Sequence, residues 1–126
     1  MTGEKSLPVR IAVAEDEADL RNVFVALLKQ LGHEVVCAVS NGAELIDLCF
    51  KERVDLVLVD LDMPIMDGLA AAEEISARGI PVVLISGHPD ADSVVMEHEP
   101  VVIRILKPAT RESLQEAIEH ALASRR

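Results

Sequence analysis

The chain has 126 residues, half of them apolar, and 12 Lys and Arg against 22 Asp and Glu give a formal net charge of −10. That length is one ordinary domain with enough apolar content to bury a core, and the acidic balance, without a local basic patch, argues against a nucleic acid or any other polyanionic partner. Residues 1–8 are too polar for a signal peptide and no apolar run approaches the roughly 18 residues of a membrane span, so the expectation is a cytoplasmic protein with no membrane contact.

Strand-like and helix-like patterns alternate five times along residues 9–124, behind the short N-terminal extension 1–8. Val9 to Ala14 is a β-branched apolar run, and Glu17 to Leu31 then carries Leu20, Phe24, Leu27, Leu28 and Leu31 at helical spacing before Gly32 stops it. Glu34 to Val39 is the second strand candidate. Asn41 with Glu44 three residues on resembles a helix start, and Leu45, Leu48 and Cys49 mark the inward face of that helix. Val54 to Val59 is the third strand, apolar throughout as in sheets covered on both faces. Leu69, Ala72 and Ile75 predict a helix to about Arg78, closed by Gly79 ahead of the strand Pro81 to Ile85. A fourth helix falls over Asp90 to Glu97, where Ser93-Val94-Val95-Met96 shows little periodicity. Val101 to Leu106 is the fifth strand, and Thr110 caps a last helix whose Leu114, Ala117, Ile118, Ala121 and Leu122 face inward. Strict alternation predicts an α/β domain with a parallel sheet wrapped on both faces. Cys37 and Cys49, with no His or Cys nearby, read as small buried hydrophobes rather than as a disulfide or metal motif.

In such folds the binding crevice lies beyond the carboxyl ends of the strands. There the first strand ends at Glu15-Asp16-Glu17, the third at Asp60-Leu61-Asp62, the fourth at Ser86-Gly87 and the fifth at Lys107-Pro108. Carboxylates forced together repel, which raises their proton affinity unless a cation offsets the charge. Oxygen ligands without His or Cys suit Mg²⁺, which takes one or two carboxylates and keeps room for a phosphoryl oxygen. Asp60 is then placed to attack phosphorus, with Ser86 and Lys107 neutralising the oxygens of the transferring group. The plainer readings stand beside these: Asp16 as a helix cap, Asp62 and Asp67 as turn residues, Ser86 as a strand-end hydroxyl and Lys107 as a solvated cation.

Glu15-Asp16, Asp60 followed by Met63-Pro64 and Met66-Asp67-Gly68, Ser86, and Lys107-Pro108 stand in an order and spacing that resembles the receiver domain of two-component response regulators, over Val9 to about Leu122. The resemblance implies a flavodoxin-like (βα)5 doubly wound sandwich with a five-stranded parallel sheet of order 2-1-3-4-5. It also implies that Asp60 accepts a phosphoryl group from a sensor histidine kinase or phosphotransfer protein, and that the phosphorylated form acts on a downstream protein, with a homodimer among the assemblies open to it. By the same resemblance Asp16 and Asp60 bind Mg²⁺ directly, the backbone carbonyl of Asp62 is a third ligand and Glu15 acts through water. Lys107 contacts the phosphoryl group, Ser86 swings its hydroxyl toward it, and the Lys107-Pro108 bond is cis. Catalysis is then of the domain's own phosphorylation and dephosphorylation rather than of an external substrate. His88, two positions after Ser86, stands where the family varies in ways that tune loss of the phosphoryl group.

Three positions depart from the family pattern. Glu15 replaces the commoner Asp, and Glu97-His98-Glu99-Pro100 replaces a Gly-Ala pair. Arg104 stands three before Lys107, where Tyr or Phe ordinarily turns inward to carry the switch; an unpaired guanidinium cannot be buried along that route. The chain ends at Arg126, where an output domain would ordinarily follow, so it is expected to be either a stand-alone receiver or a piece of a longer regulator. Two competing readings are a haloacid-dehalogenase-type phosphatase, which Asp60-Leu61-Asp62 and Leu84-Ile85-Ser86-Gly87 also resemble, and an interaction module that works without phosphorylation.

Overall fold

Runs of Val, Leu and Ile too short for helices and bounded by Gly or acids form five strands: β1 (Arg10–Ala14), β2 (Glu34–Val39), β3 (Leu56–Asp60), β4 (Val82–Ser86) and β5 (Val102–Leu106). Between and after them run α1 (Ala18–Gln30), α2 (Gly42–Lys51), α3 (Asp67–Ala77) and α4 (Arg111–Ala123). The computed structural model describes residues 9–60, 67–87 and 102–123. The helix expected over Asp90 to Glu97 lies outside the described residues, as do Asp62, His88 and the run Glu97 to Pro100.

All strand pairs are parallel and the order is β2-β1-β3-β4-β5, as the resemblance implied. Successive side chains of a strand leave by opposite faces, and the core divides accordingly. Ile11, Val13, Leu56, Leu58, Val83 and Ile85 pack against Phe24 and Leu28 of α1 and Leu114 and Ile118 of α4. Ala12, Ala14, Val57, Val59 and Leu84 pack on the other face against Leu45 of α2 and Ala71, Ala72 and Ile75 of α3. β3 at the centre is buried along its whole length, which is why its sequence shows no polar alternation before Asp60.

Local signals fix the helix ends. Gly32 and Gly79 take φ of +91° and +89°, a region that favours glycine. Each closes the same double bond: Gly32 N–H donates to Lys29 and His33 N–H to Leu28 after α1, and Gly79 N–H to Ser76 and Ile80 N–H to Ile75 after α3. Asn41 Oδ1 accepts from Glu44 N–H at 2.9 Å, but Glu44 Oε1 returns to the N–H of Ser40 rather than of Asn41. Thr110 and Ser113 cap α4 reciprocally, each hydroxyl accepting the other's N–H. β3 begins two residues later than the apolar run suggests: Val54 is buried but off the ladder, which starts where Asp55 turns its carboxylate to Arg10. Cys37 and Cys49 are free and half-buried rather than buried, and burial pushes the Cys49 thiol up, with Arg78 pulling it the other way. Among the described residues no helix is long and apolar enough to cross a membrane.

The amino-terminal edge of the sheet is fastened by Arg10. Its N–H donates to Asp55 Oδ2 at 2.9 Å and its guanidinium to the Arg53 carbonyl at 2.8 Å and to Glu34 Oε2 at 3.0 Å. One side chain thus holds β1, β2 and the turn into β3. Arg10→Ala is expected to destabilise the fold by about 1–3 kcal/mol, measured as a lower denaturant midpoint at unchanged m-value; an unshifted midpoint refutes the clamp.

Candidate active site

Four of the residues singled out by sequence meet at the carboxyl end of the sheet. Glu15 follows β1 directly, and its N–H extends the ladder to Val39 O at 3.0 Å. Asp60 is the last residue of β3, Ser86 the last of β4, and Lys107 the first after β5, its N–H donating to Ser86 O at 2.8 Å. The Lys107-Pro108 bond is cis. β1 and β3 are neighbours, so the two acids are brought together by strand pairing itself. Strand alternation assigns Glu15, Asp60 and Lys107 to the face covered by α1 and α4, following Val13, Leu58 and Ile105 on their own strands.

Burial here is severe for charged groups. Glu15 is 1% exposed, Asp60 2% and Ser86 4%. An ionised carboxylate so removed from water needs a partner, and Lys107 Nζ supplies one to Asp60 Oδ2 at 3.0 Å. Glu15 has less help. Its Oε2 accepts the N–H of Glu17 at 3.0 Å, while Oε1 is buried and accepts no hydrogen bond. Burial, reinforced by the neighbouring Asp60 carboxylate, pushes Glu15 up to about 8; the Glu17 N–H pulls the other way without prevailing.

Asp16 is exposed, beside Glu15. It is not the helix cap: the N-cap position of α1 falls on Glu17, and Asp16 makes no capping bond among the described residues. Asp62 lies outside those residues, and among them no three His, Cys, Asp or Glu side chains form a ready metal cage. Arg104 is exposed on β5, opposite Leu84 in register and on the sheet face away from Lys107. One residue that sequence reading passed over is Arg21, whose Nη1 donates to the backbone carbonyl of Glu15 at 2.8 Å. No sequence period signals it: the contact spans six positions and is made to backbone rather than to any of the acids Asp16, Glu17 and Asp19.

The model of the response regulator receiver domain matches residues 11–119. Among curated relatives, the transcriptional regulatory protein PdtaR of Mycobacterium tuberculosis is 32% identical over 122 residues, covering 95% of this chain and 60% of PdtaR. The transcriptional regulatory protein GlrR of Escherichia coli is 33% identical over 118 residues, 91% of this chain and 26% of GlrR. The chain therefore spans well under the full length of these relatives. Among solved structures, a response regulator receiver protein from Sinorhizobium medicae is 32% identical with a TM-score of 0.78, covering 94% of this chain and 98% of that one. The receiver domain of sensor histidine kinase PA1611 from Pseudomonas aeruginosa, solved with a magnesium ion coordinated in its active site cleft, is 25% identical with a TM-score of 0.80, covering 94% of this chain and all of the other. A haloacid-dehalogenase reading is not favoured by these matches, nor by an Asp60 that ends the third strand rather than the first. With its sheet order, its strand-end acids and lysine and a family match over nearly all of its length, the chain belongs to the response regulator receiver domain family.

Proposed function

We propose that Asp60 accepts a phosphoryl group from a histidine of a sensor kinase or phosphotransfer protein, in a Mg²⁺-dependent reaction, and that the phosphorylated form binds a downstream protein partner differently. The observation that carries this reading is the buried Asp60 carboxylate, held at 3.0 Å by Lys107 beside a second buried acid whose Oε1 has no donor. Those oxygens fit a hard divalent cation: Glu15 Oε1 is a buried acceptor with no hydrogen bond, the Asp60 carboxylate neighbours the same side chain, and the donor set is all oxygen. Asp16 and Asp60 would hold Mg²⁺ directly, with Glu15 through water and the backbone carbonyl of Asp62 completing the protein's share by family resemblance. Bound there, Mg²⁺ supplies charge that offsets the phosphoryl oxygens.

The chain's own groups have separable tasks. An Asp60 oxygen attacks phosphorus, the P–N bond to the donor imidazole breaks, and the electron pair leaves with that nitrogen, which is protonated as the neutral ring departs. Lys107 first pairs with Asp60 at 3.0 Å and then, already within reach, donates to a phosphoryl oxygen. Ser86 closes the third side from the end of β4 by donating its hydroxyl. The phosphoryl group adds charge and acceptor oxygens at one end of the sheet, and a partner that binds the resulting conformation better reads the signal.

Incubation with Mg²⁺ and acetyl phosphate is expected to add one phosphoryl group to the intact mass, and Asp60→Asn to abolish it. Retention of the added mass in Asp60→Asn, or its absence from the wild type, sinks the assignment. Metal-free stability supplies a second check. A folded Glu15 that holds its proton to about 8, against an ordinary value of 4.5, binds more protons than the unfolded chain between those limits, so stability falls as pH rises through that window. Glu15→Gln is expected to remove that slope in EDTA, and Mg²⁺ to flatten it in the wild type. Denaturant midpoints across the window test both, and equal slopes in wild type and variant refute the claim.

A further inference from the structure

Glu15 has four polar groups, and three are tied down. Its N–H goes to Val39 O at 3.0 Å, its Oε2 takes the Glu17 N–H at 3.0 Å, and its carbonyl takes Arg21 Nη1 at 2.8 Å. Only Oε1, though buried, accepts nothing. We infer that Arg21 is a positioning residue for the acid pair: by fixing the peptide plane between Glu15 and Asp16 it aims both carboxylates, and so sets the affinity of the site for Mg²⁺. The inference rests on the metal-dependent reading above and concerns a residue that touches none of the reacting atoms.

The geometry explains why one bond suffices. A trans peptide is planar, so a carbonyl held by the guanidinium fixes the direction of the Asp16 N–H as well, and with it ψ of Glu15 and φ of Asp16. Those two torsions direct the side chains of the two acids. Arg21 reaches the carbonyl because its side chain, leaving the second turn of α1, leans back toward the helix start. It takes a neutral carbonyl although Asp16, Glu17 and Asp19 offer exposed carboxylates close by in the chain, and it forms no ion pair with any of them. An arginine serving only to soften that acidity would pair with one of these; here the donor is committed to backbone. Arg21 also borders an open cavity of about 420 Å³ with Ser40, Leu48 and Lys51, so truncation removes the clamp without leaving a sealed void.

The test follows Mg²⁺ binding by amide NMR in the wild type, Arg21→Ala and Arg21→Lys, together with hydrogen exchange at the Glu17 amide and denaturant midpoints in metal-free buffer. Loss of a partner behind a ligand weakens metal binding by about tenfold or more. Arg21→Ala is expected to show that loss and faster Glu17 exchange with little change in midpoint, and Arg21→Lys to restore most of the affinity. Arg21→Gln replaces Arg21→Ala in the comparison if the latter fails to fold. Wild-type Mg²⁺ affinity in Arg21→Ala or Arg21→Gln overturns the positioning role alone. So does a weakened affinity in which Glu17 exchange rises only in step with the whole sheet. A wild type that binds no Mg²⁺ overturns the functional reading, and this inference with it.

Discussion

Two carboxylates are buried side by side at the end of a parallel sheet, and only one of them has an ammonium ion against it. The remaining features of the domain either create that situation or live with it. Strand pairing creates it: β1 and β3 are adjacent, so whatever follows their last apolar residues on the same face must meet. The covered faces deepen it, since Phe24, Leu28, Leu114 and Ile118 on one side and Leu45 and Ile75 on the other keep water from the strands up to their last residues. Lys107 offsets the charge on Asp60 from two strands away. Burial and the Asp60 carboxylate instead push Glu15 up to about 8, and its Oε1 accepts no hydrogen bond. A site in that condition favours added positive charge, which is what the proposed Mg²⁺ would supply.

Stability and chemistry occupy opposite ends of the same strands. At the amino-terminal edge Arg10 ties Glu34, Arg53 and Asp55 together, all charges or carbonyls that satisfy one another. At the carboxyl edge the charges are left mismatched. A parallel sheet allows this separation because every strand runs the same way, so that all five carboxyl ends share one rim. The domain can therefore carry a charged cluster without loosening its core: β3 is buried from Leu56 through Asp60, and its first charged side chain comes only at that last residue.

The sequence made the architecture and most of the site legible because both rest on short-range signals. Gly32 and Gly79 marked helix ends that do take positive φ, and apolar alternation marked strands whose faces divide as expected. Asp60 and Lys107 stood out because each follows an apolar run directly, and strand ends converge in this topology. What escaped depends on where an element starts to within one residue. The plainer reading of Asp16 as a cap ends where the N-cap falls on Glu17, and Glu44, whose N–H does bond Asn41 as its spacing implied, turns its carboxylate to Ser40 instead. Arg21 is the clearest case. Its contact spans six positions across a loop and a helix start, a spacing that no helical or strand period generates, so its role is visible only once the Glu15 carbonyl is placed.

Arg104 bears on how such a site could speak to the surface. β5 is an edge strand that buries Ile103 and Ile105 against the α1 and α4 face while Arg104 and Leu106 remain exposed on the other. An aromatic at position 104 could swap solvent for an apolar slot at small cost, because its burial is favourable in itself. A guanidinium gains nothing from the same movement unless an acid waits at the end of it. On the proposed function, then, a phosphoryl group on Asp60 would reach a partner through a change in surface charge and hydrogen bonding rather than through a ring passing between two packings.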